Sequence, residues 1–93
     1  MTFSDAATAR FASNVARLRE QAGFSQEVMA DRSAVSTAMI GKVENGTALP
    51  YFDVVIRMAG ALSTTPSALA EGITWNPGEI VESDPQDYIL ADA

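Results

Sequence analysis

Apolar positions in this chain recur every third or fourth residue as far as about residue 72, and the rhythm then breaks. Such a period gathers apolar side chains on one face of an α-helix. Phe11, Val15, Leu18 and Ala22 make the first stripe, capped by Ser4 or Asp5 and closed by Gly23 at the end. The spacing predicts a second helix from a Ser25 cap to about Ser33, with Met29 and Ala30 inward. A third runs from a Ser36 cap through Thr37 to about Glu44, with Ile40 and Val43 inward over Val35, until Asn45-Gly46 breaks it. A fourth starts near Phe52 or Asp53, its buried side marked by Phe52, Val55, Ala59 and Leu62, with Met58 adjacent. Thr65-Pro66-Ser67 opens a short fifth helix to about Glu71, a hydroxyl cap followed by proline at the first helical position. The expected fold class is all-α, with five helices in a domain over residues 1–72.

Residues 73–93 form a C-terminal extension of different character. Ile73-Thr74-Trp75 alternates like a strand, Asn76-Pro77-Gly78 interrupts it, and Glu79-Ile80-Val81-Glu82 can form one more short strand. A small hairpin over residues 73–82 is one expectation; extended, partly ordered chain is the other.

Charge changes the picture. The formal net charge is −6, yet residues 1–72 hold all six basic side chains against seven acids. Residues 73–93 hold five acids and no base, so the acidity belongs mainly to the extension. Such a segment is a solubilising surface or a regulatory tail that competes for a basic face. Cysteine and histidine are both absent, which removes disulfides, thiolate metal sites and the commonest general base. The expectation is no enzyme, no metal and no cofactor. No apolar run approaches the ~18–20 residues that cross a bilayer, and Val54 to Leu62 is interrupted by Arg57. Met-Thr-Phe-Ser-Asp at the start has neither the basic flank nor the apolar stretch of a secretory signal, so a cytoplasmic protein without a membrane partner is expected.

The chemistry concentrates in residues 23–46, two short helices joined by a tight turn, with small and polar residues opening the second. That arrangement can present a helix end to the DNA major groove, where base edges are chemically distinguishable. Across residues 11–71 the sequence resembles the phage repressor/Cro-type helix-turn-helix family, the xenobiotic-response-element class. The resemblance is carried by Leu18-Arg19, Phe24-Ser25-Gln26-Glu27, Met29-Ala30, Val35-Ser36, Ile40-Gly41-Lys42-Val43-Glu44-Asn45-Gly46, Pro50 and Ala59-Gly60-Ala61-Leu62. No single one of these is specific; the ordered series is.

The resemblance implies a lambda-repressor-like domain that binds double-stranded DNA through the third helix. Thr37, Ala38, Met39 and Lys42 would face the groove, with Ala38 and Met39 suited to thymine methyl groups and Lys42 to guanine or phosphate. Ser25, Gln26 and Ser36 would sit at helix N-termini that favour phosphate oxygens, and Asn45 and Thr47 would make backbone contacts. Arg19 and Glu44 match a pair that forms an internal ion pair in the family, which makes Arg19 structural. Two departures stand out: Ala34 where relatives place a turn glycine, and Gly41 inside the third helix. Gly41 is either a place of close backbone approach or simply a poor helix residue.

Dimerisation has several candidates. Val28 and Ile56 are apolar where relatives are more often polar, and Trp75 either packs on its own core or joins Ile73, Ile80 and Val81 in a two-fold interface. The expected function is a repressor-like, sequence-specific regulator of transcription that binds operator DNA as a homodimer in bacterial or phage-infected host cytosol. The alternative is a protein-interaction module of the same fold, an antirepressor or adaptor with a protein partner and little DNA affinity. Deleting residues 83–93 is expected to raise DNA affinity or cellular lifetime, read by gel shift and by turnover; no change in either rejects a regulatory tail.

Overall fold

In the computed structural model residues 5–75 and 88–90 are described. They form α1 (Asp5–Gln21), α2 (Gln26–Ser33), α3 (Thr37–Glu44), α4 (Phe52–Ala61), α5 (Pro66–Leu69), β1 (Ile73–Trp75) and β2 (Tyr88–Leu90). The five helices carry the domain, and the two strands make a minor antiparallel pair.

Helix ends follow local chemistry. The Oγ of Ser25 accepts from the Val28 N–H, and that of Ser36 accepts from the Met39 N–H, each at 3.1 Å. Thr65 caps α5 in the same way ahead of Pro66. Each hydroxyl satisfies one of the N–H groups that a helix start leaves without a partner. At the other end of α1, Gly23 adopts φ +79 and the chain turns back through Phe24 N–H to the Arg19 carbonyl. Ala22 therefore lies beyond the helix and is exposed, outside the core face expected for it.

The core is a single cluster drawn from every helix: Phe11 and Val15 of α1, Met29 and Ala30 of α2, Ile40 and Val43 of α3, Met58 and Ala59 of α4, and Leu69 of α5. Each fully buried large side chain contributes on the order of 1.5–3 kcal/mol. Leu18, Val35, Val55 and Leu62 pack against the cluster while half-buried. Phe52 corrects the expected inner face of α4. It is 70% exposed, because the helix turns Met58 and Ala59 inward and leaves its first residue on the outer side.

Asn14 is the buried polar residue that ties the ends of the domain together. Its Nδ2 donates to the carbonyls of Leu69 at 3.0 Å and Glu71 at 2.9 Å. The one-turn helix α5, too short to hold itself, is thereby fastened to α1.

The strand pair departs from the expected hairpin. β1 occurs at residues 73–75 as the alternation suggested, but its partner is Tyr88–Leu90, in register Ile73↔Leu90, Thr74↔Ile89 and Trp75↔Tyr88. Tyr-Ile-Leu suits a pleated strand better than Glu-Ile-Val-Glu, and both strands lie against α1. Residues 79–82, including Ile80 and Val81, lie outside the described residues.

The turn between α2 and α3 holds Ala34 at φ 56, ψ 40, in the left-handed region. The N–H of Val35 closes it on the Ala30 carbonyl at 3.1 Å. Alanine is strained there by about 1 kcal/mol. Ala34→Gly is expected to change stability favourably by about 0.5–1 kcal/mol in urea unfolding. Gly41→Ala is expected to gain a similar ~0.5–1 kcal/mol, since a methyl there meets only Gln26 Oε1 at an ordinary 4.0 Å.

Candidate nucleic-acid interface

The inner side of α3 is anchored before its outer side is free to do anything. Ile40 and Val43 enter the core, and Glu44 at the last turn points back toward α1. Arg19 Nε donates to Glu44 Oε2 at 2.6 Å, and Nη2 donates to Oε1 at 3.0 Å. The third nitrogen, Nη1, donates to the Phe24 carbonyl at 2.7 Å. Only 14% of the Arg19 side chain and 7% of the Glu44 side chain reach solvent. One guanidinium thus joins α1, the α1–α2 connection and the end of α3 by a planar fork that lysine could not reproduce.

The hydrogen bond to Glu44 raises the Arg19 pKa against the opposing effect of burial. A raised pKa on a cation gives stability that is complete below the ordinary arginine range and fades only above it. From the arginine side, this clamp is insensitive to pH throughout the neutral region.

Gln26 completes the Glu44 environment, its Nε2 donating to Oε1 at 3.1 Å. The amide expected at a phosphate is thus engaged inside the motif, while the first turn of α2 remains at the surface. Ser25 and Ser36 are exposed and accept from their own helices, an arrangement that leaves a hydroxyl proton to give.

The outer face of α3 presents Thr37, Ala38 and Lys42, all exposed, with Gly41 half-buried between them. Met39 is different: it is half-buried and packs against the core, so its side chain is shared between the interior and the surface. Asn45 and Thr47 form the stop of α3. Thr47 Oγ1 and N–H both donate to Asn45 Oδ1, at 2.6 and 3.1 Å, and the Thr47 N–H also meets the Lys42 carbonyl. Both residues are exposed beside Gly46 at φ +78.

The basic side chains fall into separate groups: Arg10 and Arg17 at the α5 end, and Arg32 and Arg57 lining one cavity with Ala34 of the α2–α3 turn. Arg17 lies 3.8 Å from Glu71, and the Arg10 guanidinium fills the space beside Gly72, both at the α5 end. Arg32 sits 4.6 Å over the Phe24 ring, and Arg57 pairs with Asp53 at 3.7 Å. On α3 itself Lys42 supplies the positive charge.

Of the residues singled out for a two-fold interface, Ile73 is half-buried against its own core. Ile80 and Val81 are outside the described residues, as is the side chain of Trp75. No group of acids able to hold a metal occurs among the described residues, and no described helix is long and apolar enough to cross a membrane.

Residues 10–72 match the family model of a helix-turn-helix domain. The chain belongs to the helix-turn-helix family. The arrangement of its helices is similar to the restriction-modification controller protein C.AhdI from Aeromonas hydrophila, at 30% identity and TM-score 0.67, over 69% of this chain and 97% of that one. An HTH_3 family transcriptional regulator from Vibrio cholerae is similar at 28% identity and TM-score 0.67, over 71% of this chain; the match spans 38% of the Vibrio chain. The hypothetical transcription factor NHTF from Neisseria shares the fold at 24% identity and TM-score 0.66, over 82% of this chain and 83% of that one. No curated protein matches. The helix-turn-helix domain is a DNA-binding domain of transcription regulators, not an enzyme.

Asn14 and the Gln26–Glu44 bond were not singled out from the sequence, although Asn14 interrupts the apolar face between Phe11 and Val15. Glu44→Ala is expected to destabilise the helix-turn-helix domain by about 2–4 kcal/mol, because Arg19 and Gln26 then lose a charged acceptor in a largely buried place. Chemical denaturation checks it, with Glu20→Ala, an exposed neighbour, expected to change little.

Proposed function

We propose that this chain is a sequence-specific regulator of transcription that binds operator DNA as a homodimer, with α3 in the major groove. The observation that carries the reading is the two-sidedness of α3. Its inner side is held by Ile40, Val43 and the Arg19–Glu44 fork, while Thr37, Ala38 and Lys42 stand exposed at its outer side. In that reading Thr37 offers a hydroxyl, Ala38 a methyl for thymine, and Lys42 a charge for guanine or phosphate. Met39 contributes at the edge. Ser25, Gln26 and Ser36 at the starts of α2 and α3, with Asn45 and Thr47 after α3, set the register on the phosphates through mostly neutral donors.

The controller protein from Aeromonas and the regulator from Vibrio support the reading by kinship. The placement of Arg10 and Arg17 at the α5 end favours one rival, a protein-interaction module such as an adaptor or antirepressor. A protein partner would then bind where DNA is proposed to bind.

Selection of bound sites from random DNA distinguishes them. Enrichment of a pseudo-palindromic sequence is expected; no enrichment at low ionic strength favours the adaptor. With one basic residue on each α3, the slope of log affinity against log salt is expected to be shallow, about −2 to −4 for a dimer. Lys42→Ala should flatten that slope by about 2 per dimer, and Ala38→Glu should abolish selection while the thermal melt stays unchanged.

A further inference from the structure

Segments distant in sequence meet around a cavity of about 430 Å³. Phe11 of α1, Val55 of α4 and Ile73 of β1 line it from the core side, buried or half-buried. The loop between α3 and α4 contributes Leu49 and Pro50, and the α5 segment contributes Ser67 and Ala70. Leu49, 42% exposed, and Phe52, 70% exposed, stand at its mouth. No acidic, basic or amide side chain is among the lining residues. The Ser67 hydroxyl is the one polar side-chain group there, and its Oγ lies 3.0 Å from Thr65 Oγ1. A hydroxyl can make three hydrogen bonds, so Ser67 keeps capacity for a partner inside the cavity.

We infer that this cavity binds a small, uncharged, largely apolar molecule whose single hydrogen-bonding group is met by Ser67. Volumes of roughly 300–1,000 Å³ with apolar walls and few polar groups are typical of small-molecule sites. Charge narrows the occupant further. The cavity at the end of α3 is lined by Asp5 and Glu44, and that between α2 and α4 by Arg32 and Arg57. An ionic molecule finds counter-charge in those places; here its charge would lie against Phe11, Val55 and Ile73 without a counterpart. Size excludes a protein face, since a stable partner covers about 800 Å² on each side. Of such a partner little more than one side chain would enter. Position gives occupancy a consequence. Leu49 and Pro50 come shortly after Thr47, so a molecule packed against them also fixes the segment that follows α3. On the regulator reading above, occupancy then changes operator affinity.

The test uses the full chain and N-phenyl-1-naphthylamine, an uncharged apolar probe with a single N–H whose fluorescence rises on leaving water. Saturable binding at one probe per chain is expected, with a dissociation constant on the order of 100 µM or tighter. In NMR spectra of the unaltered protein, probe-induced shifts should concentrate on Leu49, Val55, Ala70 and Ile73. Leu49→Asp and Phe52→Ala, both at exposed positions, should each weaken binding roughly tenfold. Ile56→Ser, which removes an exposed apolar group outside the cavity, should leave it unchanged. Thermal melts establish that each variant folds, and the NMR map stands if one does not. Absence of saturation, shifts centred elsewhere, or equal losses in all three variants overturns the site. So does probe affinity that falls as protein concentration rises, which marks a second copy as the occupant. Operator affinity that saturating probe leaves unchanged overturns the link to the loop. A chain that binds the probe but selects no DNA sequence keeps the site and loses the regulator reading; one that selects DNA without binding the probe does the reverse.

Discussion

The Arg19–Glu44 ion pair governs how α1, α2 and α3 of the helix-turn-helix domain are arranged. A helix of eight residues such as α3 has little stability of its own. Apolar packing of Ile40 and Val43 attaches it but leaves it some freedom to roll. The two-pronged contact at the last turn removes that freedom, because a planar guanidinium meets a carboxylate in few orientations. The Phe24 carbonyl and Gln26 bring the start of α2 into the same network. A partly buried pair of this kind adds modestly to net stability compared with well-packed apolar residues. Its larger effect is orientation.

That constraint has an electrostatic consequence. Arg19 is spent inside the motif, and Arg10, Arg17, Arg32 and Arg57 are each drawn to other neighbours. The outer side of α3 is therefore small, polar and nearly neutral, apart from Lys42. Counterion release is the usual source of affinity for a duplex, and here little of it is available. On the proposed reading, hydroxyls, amides and helix N-termini carry more of the recognition than in a strongly basic regulator. On the same reading, two copies acting together compensate for the weakness of one.

The exposure at the start of α4 follows from the same economy of a small domain. With one core formed from five short helices, Met58 and Ala59 occupy the inner side of α4, and Phe52 at its start stays 70% exposed at the edge of an apolar cavity it lines with Phe11, Val55 and Ile73.

Much of this was legible in the sequence for local reasons. Ser25, Ser36 and Thr65 read as caps because a hydroxyl at a helix start has an N–H to satisfy, and all three do so. The inward positions of Met29, Ile40 and Val43 follow from helical period alone. The fork between Arg19 and Glu44 could be anticipated only through resemblance, since nothing local relates residues so far apart. Phe52 and Ala22 were misjudged because period identifies a face but not where the helix stops or which way it rolls. Asn14 reaching Leu69 and Glu71, Gln26 turning to Glu44, and Tyr88–Leu90 pairing with β1 are contacts across the fold. The linear order thus determined the helices, their caps and the inward rows, which depend on neighbours within a turn or two. The tertiary structure alone decided which charges are consumed, which apolar residues stay outside and how α3 is held, because those depend on distances that exist only once the chain has closed on itself.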